Sequence, residues 1–137
     1  MGLYLAVFQG DRERDGVEVG SYSDFNSFRD QVVNQLEGGK AGTRFPILIM
    51  HSDCDGVWTA DECTQLHHEL VTIQAEFRKL LPLPLPSGWQ SEVARSLGLR
   101  PTNLDDCFFD VDGELLTDRL IGLVRMAEEC GAPIIFQ

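Results

Sequence analysis

The chain has 137 residues, with 22 acidic side chains against 11 Lys and Arg and a formal net charge of −11. That balance repels phosphate, which argues against nucleic acid or anionic membrane as a partner and favours a basic protein. A composition of 43% hydrophobic and 24% charged residues is globular, and the length suits one domain spanning 1–137.

The opening "MGLYLAVFQG" lacks the basic flank and long apolar run of a secretion signal, and no stretch approaches membrane-spanning length, so a cytoplasmic location is expected. "LYLAVF" (3–8) and "GVEVG" (16–20) predict a hairpin across an acidic, mobile "GDRERDG". "SDFNSFRDQVVNQLEGG" predicts a helix from a Ser or Asp cap to Gly38, with Phe25, Phe28, Val32 and Leu36 on one stripe. "RFPILIM" (44–50) is a continuous apolar run of strand length and predicts a buried strand. A long helix follows, its seam marked by Cys63, Leu66, Leu70, Ile73, Phe77 and Leu80.

"LPLPLPSG" cannot continue that helix and favours an extended connection. A short helix with Trp89, Val93 and Leu97 inward closes at Gly98. "DCFFDV" predicts another buried strand, and Leu116, Leu120, Leu123, Ala127 and Cys130 mark a last helix. "PIIFQ" supplies a terminal strand. The alternation predicts an α/β fold: a mixed sheet of about five strands, including the N-terminal hairpin, packed against about four helices. Cys54, Cys63, Cys107 and Cys130 form no C-x-x-C pair, and in a reducing compartment no disulfide is expected. Cys63 and Cys130 are expected in the core.

"HSDCDGVWTADE" (51–62) carries the chemistry to be weighed. Acids at its third and fifth places, Gly56 at the sixth and Glu62 at the twelfth suggest a calcium loop, but His51 stands where a hard oxygen ligand belongs. Thr59 followed by Glu62 is also a capping box, and Asp55-Gly56 is ordinary turn chemistry. Zinc would need His51, Cys54, Cys63 and His67 to converge, yet Cys63 lies on an apolar seam. A reactive Cys54 beside His51 is opposed by the Asp on each side, whose charges raise a thiol pKa. No metal or cofactor is expected.

"CFFDVDGELL" (107–116) resembles the nucleophile motif of haloacid-dehalogenase-type phosphatases over about ten residues. That resemblance implies Asp110 as nucleophile, Asp112 as acid/base and a magnesium ion. Glu114 replaces the family's usual Thr, and no Lys follows Asp112. If the strands ending at 50 and 110 run parallel, their ends share an edge. Asp53, Asp55, Asp110, Asp112 and Glu114 would gather there, with Trp58 as a partly exposed aromatic anchor. That edge is the candidate partner-binding site, with no catalytic residues assigned. The alternative is a metal-dependent hydrolase or metal-binding protein using Asp53, Asp55, Asp110 and Asp112.

Taken together, "LIMHSDCDGVWTADEC", "GWQSEVARSLGLRP", "CFFDVDGELL" and "PIIFQ" resemble the immunity protein 70 family of bacterial polymorphic-toxin systems, over most of the chain. The resemblance implies a small cytosolic antidote, not an enzyme, that binds and neutralises a cognate toxin. No catalytic residue comes with it.

Overall fold

A computed structural model describes residues 2–137. Strands β1 (Gly2–Gln9) and β2 (Arg12–Ser21) form the hairpin, followed by α1 (Tyr22–Leu36) and the one-turn helix α2 (Pro46–Ile49). Then come β3 (Val57–Trp58), α3 (Ala60–Phe77), α4 (Trp89–Leu97), a 3-10 turn at Asp105–Cys107, α5 (Leu116–Cys130) and β4 (Ile134–Phe136). The fold is α/β as expected, with four strands in the order β2-β1-β4-β3 and five helices among the described residues. Every strand pair is antiparallel. The hairpin strands run through most of the predicted loop, leaving Gly10 and Asp11 as a two-residue connection.

The sheet has one covered face. Leu3, Leu5 and Val7 of β1, Val17 and Val19 of β2, Ile134 and Phe136 of β4, and Trp58 of β3 all enter one core cluster. The helices supply the opposite layer, through Phe25, Phe28 and Val32 of α1, the predicted seam of α3, and Leu120, Leu123 and Val124 of α5. The cap of α3 forms as predicted, whereas α1 starts earlier than read, capped by Ser21 and not by Ser23 or Asp24. Ser21 accepts from the Asp24 backbone N–H at 3.0 Å while Asp24 accepts from the Ser21 N–H at 2.7 Å, a reciprocal box that starts α1. Thr59 and Glu62 do the same for α3.

Two predicted strands are absent, for visible reasons. Residues 44–50 fold as α2 because Pro46 occupies the first turn and a buried carboxylate receives its free N–H groups. Glu69 of α3, 2% exposed, accepts from Leu48 N–H at 2.9 Å and Ile47 N–H at 3.2 Å. Glu37 organises the approach by accepting from the N–H groups of Gly42, Arg44 and Phe45. Residues 106–111 are likewise not a strand. Phe109 makes only an isolated bridge to Leu115, and Asp110 turns the chain at once.

Smaller departures concern packing. In α4 it is Ala94 that is buried, whereas Leu97 is 57% exposed, because this helix leans on the 109–113 turn instead of the main core. The four cysteines are free thiols. Cys63 is fully buried and Cys130 half-buried against the core.

Candidate functional site

Residues 51–58 cross from α2 to the sheet edge. His51 stacks on Phe136, ring centroids 4.3 Å apart. Its Nδ1 lies 2.8 Å from the Ser52 carbonyl and its Nε2 2.8 Å from the Val57 carbonyl. Both ring nitrogens therefore face protein oxygens, and the ring closes the loop instead of offering a ligand. Gly56 makes the turn at φ +82°, where a side chain would be strained, and its carbonyl accepts from Phe136 N–H at 3.0 Å. This explains why the calcium pattern breaks at its first place.

Asp53 and Asp55 lie on this loop. Asp53 accepts from the Asn26 amide at 2.7 Å. That bond, the Cys54 side chain and the nearby Arg29 guanidinium hold its carboxyl below the ordinary 3.8, against a smaller opposing effect of desolvation. Arg29 itself donates to the carbonyls of Leu48 and His51, at 3.2 and 2.7 Å, and so pins the start of the loop to α1. Asp55 is exposed. Cys54 is exposed, with its sulfur 3.6 Å from Ser52 Oγ, while both nitrogens of His51 are engaged elsewhere.

Trp58 departs from expectation. It is 1% exposed, packs edge-on against Phe25 and Phe136, and donates its indole N–H to the Ile47 carbonyl at 3.0 Å. Strand alternation explains this: Val57 faces out at 38% exposure and its neighbour must face in. Trp58 is a core residue, not a surface anchor.

The second acidic group lies elsewhere. The 110–114 turn docks on β2 through the Val111 N–H to the Glu18 carbonyl at 3.3 Å, whereas the 51–56 loop leads into β3. β2 and β3 are opposite edges of the sheet, three strand spacings or roughly 14 Å apart. Asp53 and Asp55 are thus not gathered with Asp110, Asp112 and Glu114, because the two segments that should have been parallel strands are a helix and a turn.

Asp110 is 2% exposed and engaged on both oxygens. Oδ1 accepts from the N–H groups of Asp112 and Glu114 at 2.9 and 3.0 Å, and Oδ2 lies 3.5 Å from Arg119 Nε. Arg119 also pairs with Glu114 at 3.4 Å and Asp15 at 3.4 Å. This carboxylate is a turn organiser with its charge already matched, a poor geometry for a nucleophile. Asp112 remains exposed.

The zinc set does not assemble either. Burial, reinforced by Glu128 and Glu62, pushes the Cys63 thiol up to about 11, and His67 Nδ1 sits 2.7 Å from Glu128. Among the described residues no three His, Cys, Asp or Glu side chains form a metal-sized group. The hydrolase alternative needed Asp53, Asp55, Asp110 and Asp112 together, and they lie at two edges.

Sequence reasoning missed the other face of the sheet. Directly paired residues share a face, so Tyr4, Ala6 and Phe8 lie with Glu18, Gly16 and Glu13, and Ala6 with Ile135 and Val57. None of its apolar members belongs to the core cluster, although Ala6 is fully buried, Tyr4, Phe8 and Ile135 are half-buried, and Val57 is exposed. The signal was present in "LYLAVF", where both alternating sets are apolar although a sheet covered on one side needs only one.

Fold and site thus define a two-layer α/β protein with acidic edges and an open sheet face, without an assembled catalytic set among the described residues. The model of Immunity protein 70 matches residues 3–136, and the chain belongs to that family. No curated protein and no solved structure gives a match. Among the described residues no helix is long and apolar enough to cross a membrane.

Proposed function

We propose that this immunity protein is a cytoplasmic antidote that binds a cognate toxin domain of a polymorphic-toxin system and blocks it through its acidic surface. The partner is a basic protein domain, and neither nucleic acid, membrane nor cofactor takes part. Binding, with no reaction of its own, is the activity.

The observation that carries this reading is how the cations are spent. Arg44 pairs with Glu76, Arg78 with Asp105 and Asp118, Arg95 with Glu92, and Arg119 with three carboxylates. Arg29 is turned onto backbone carbonyls. Arg12, Arg14, Lys40, Lys79, Arg100 and Arg125 enter no ion pair among the described residues, but with 22 acids against 11 bases the surface still carries unmatched carboxylates such as Asp55 and Asp112. Such a field steers a basic domain to the surface at rates that fall with salt. Trp58 and Asp110 drop out of the contact set because they are buried, and Glu114 contributes less because Arg119 faces it.

The test looks for a toxin domain in the coding sequence immediately upstream and measures its direct binding to this chain by calorimetry across salt concentrations. A stoichiometric complex that protects cells from that domain is expected. No complex, or a complex whose association ignores salt, would overturn the reading.

A further inference from the structure

We infer that the open face of the sheet, built on Tyr4, Phe8, Val57 and Ile135, is the docking surface for a basic, partly apolar segment of the toxin domain. This rests on the antidote reading and gives it an interface. The face carries apolar side chains from three adjacent strands: Tyr4 and Phe8 on β1, Ile135 on β4 and Val57 on β3. Among the described residues none of them joins the core cluster that α1, α3 and α5 form with the opposite face of the sheet, and Val57 is exposed. A sheet face of this kind is ordinarily either polar or covered.

The face is also organised. The Tyr4 ring lies across Gly16, so close that a Cβ there would collide with its hydroxyl. The phenol donates to Glu13 at 3.0 Å. Burial, then the bond and charge of Glu13, push the phenol above its ordinary range, so the hydroxyl stays a donor. An aromatic ring held flat by a bond to its neighbour loses little freedom on contact, as interface anchors do.

Charge selects the occupant. Glu13 and Glu18 face outward beside the aromatics, and neither takes part in an ion pair among the described residues. In a symmetric pairing of two copies the same patch would meet itself, setting these carboxylates against their equivalents. A second copy is therefore disfavoured. A segment bearing Arg or Lys between apolar side chains complements both the rings and the carboxylates. Val57 directly follows the 51–56 loop, so such a segment would pass from the β2 carboxylates to Asp55 across the whole sheet.

The experiment measures binding of the upstream-encoded toxin domain to the full chain and to three variants: Phe8→Ala, Val57→Lys and Glu13→Gln with Glu18→Gln. Leu97→Ala serves as an exposed apolar control away from the face. Thermal melts establish that each variant is folded. Phe8→Ala and Val57→Lys should each weaken binding about thirtyfold or more, the size of an interface hot spot. The double Gln variant should slow association and flatten its salt dependence, and the control should bind as wild type. If wild type binds and all folded face variants bind equally well, the interface lies elsewhere and this inference fails while the antidote reading stands. If wild type does not bind, the antidote reading itself fails. Sedimentation of wild type as a dimer that Val57→Lys converts to monomer would assign the face to a second copy instead.

Discussion

The indole N–H of Trp89 donates to Oδ2 of Asp24 at 2.9 Å, joining the first turn of α4 to the first turn of α1 across 65 positions of sequence. The same carboxylate accepts from Gln90 at 2.7 Å and closes the Ser21 capping box. One side chain thus starts one helix and anchors another.

Burial alone would raise the Asp24 carboxyl, but the bonds from Ser21, Trp89 and Gln90 outweigh it and hold it below 3.8. Its stabilisation is complete above that value and is lost as pH falls through the lowered one. Asp24→Ala should cost about 1–3 kcal/mol at neutral pH, from a lost cap and lost charge-assisted bonds. Urea unfolding should show the gap from wild type closing below pH 3.8.

Glu69→Ala should cost about 2–4 kcal/mol, because it leaves the N–H groups of Ile47 and Leu48 without their acceptor. Glu69→Gln keeps one acceptor and should cost less. Burial pushes the Glu69 carboxyl above 4.5, with the bonds from Leu48 and Ile47 only partly offsetting it. The folded chain therefore holds this proton more tightly than the unfolded one, and stability falls as pH rises from 4.5 through the raised value. The Gln variant lacks that loss, so its deficit should narrow across the same window in denaturant melts.

Asp110→Asn and Asp112→Asn should separate sharply. Asp110 serves two backbone N–H groups and faces Arg119, so its replacement should cost roughly 1–3 kcal/mol. Asp112 is exposed, and its replacement should change stability by less than about 0.5 kcal/mol. Equal melting temperatures for the two variants would contradict the turn-organiser role.

Thiol labelling of the native protein should modify Cys54 first. It is exposed, whereas Cys63 is buried with its thiol pushed up to about 11 by that burial. Mass spectrometry during labelling checks the order, and Cys63 should react only as fast as the chain unfolds.

How much of this was legible depended on the range of the deciding interaction. The seams of α1, α3 and α5 and the Thr59–Glu62 capping box are written in residues three or four apart, and they form as read, while α1 starts at Ser21, two residues before the predicted stretch. The segment 44–50 is apolar enough for a strand, but its fate is decided by Glu69, a carboxylate 21 residues beyond Leu48. Asp110 stands out in the sequence, but its role as turn organiser does not, because its matching cation, Arg119, lies in a helix that begins only at Leu116. Trp58 followed from alternation once Val57 was placed outward. Which face of the sheet stays uncovered depends on where all the helices go, and no local pattern carries that.

The position of β4 has a consequence for synthesis. It lies between β1 and β3, pairing Leu5 with Phe136 and Val57 with Ile135. Hairpin and α1 involve only the first 36 residues and can form as the chain leaves the ribosome. β3, by contrast, has no neighbour in the sheet until residues 134–136 emerge, and His51 lacks the Phe136 ring on which it stacks. A nascent chain arrested before that point would display the acidic loop without the strand that shapes it. The open face likewise needs Ile135 to join its outer strands. On the proposed reading, toxin capture would begin only once residues 134–136 have left the ribosome, however early the remainder of the fold condenses.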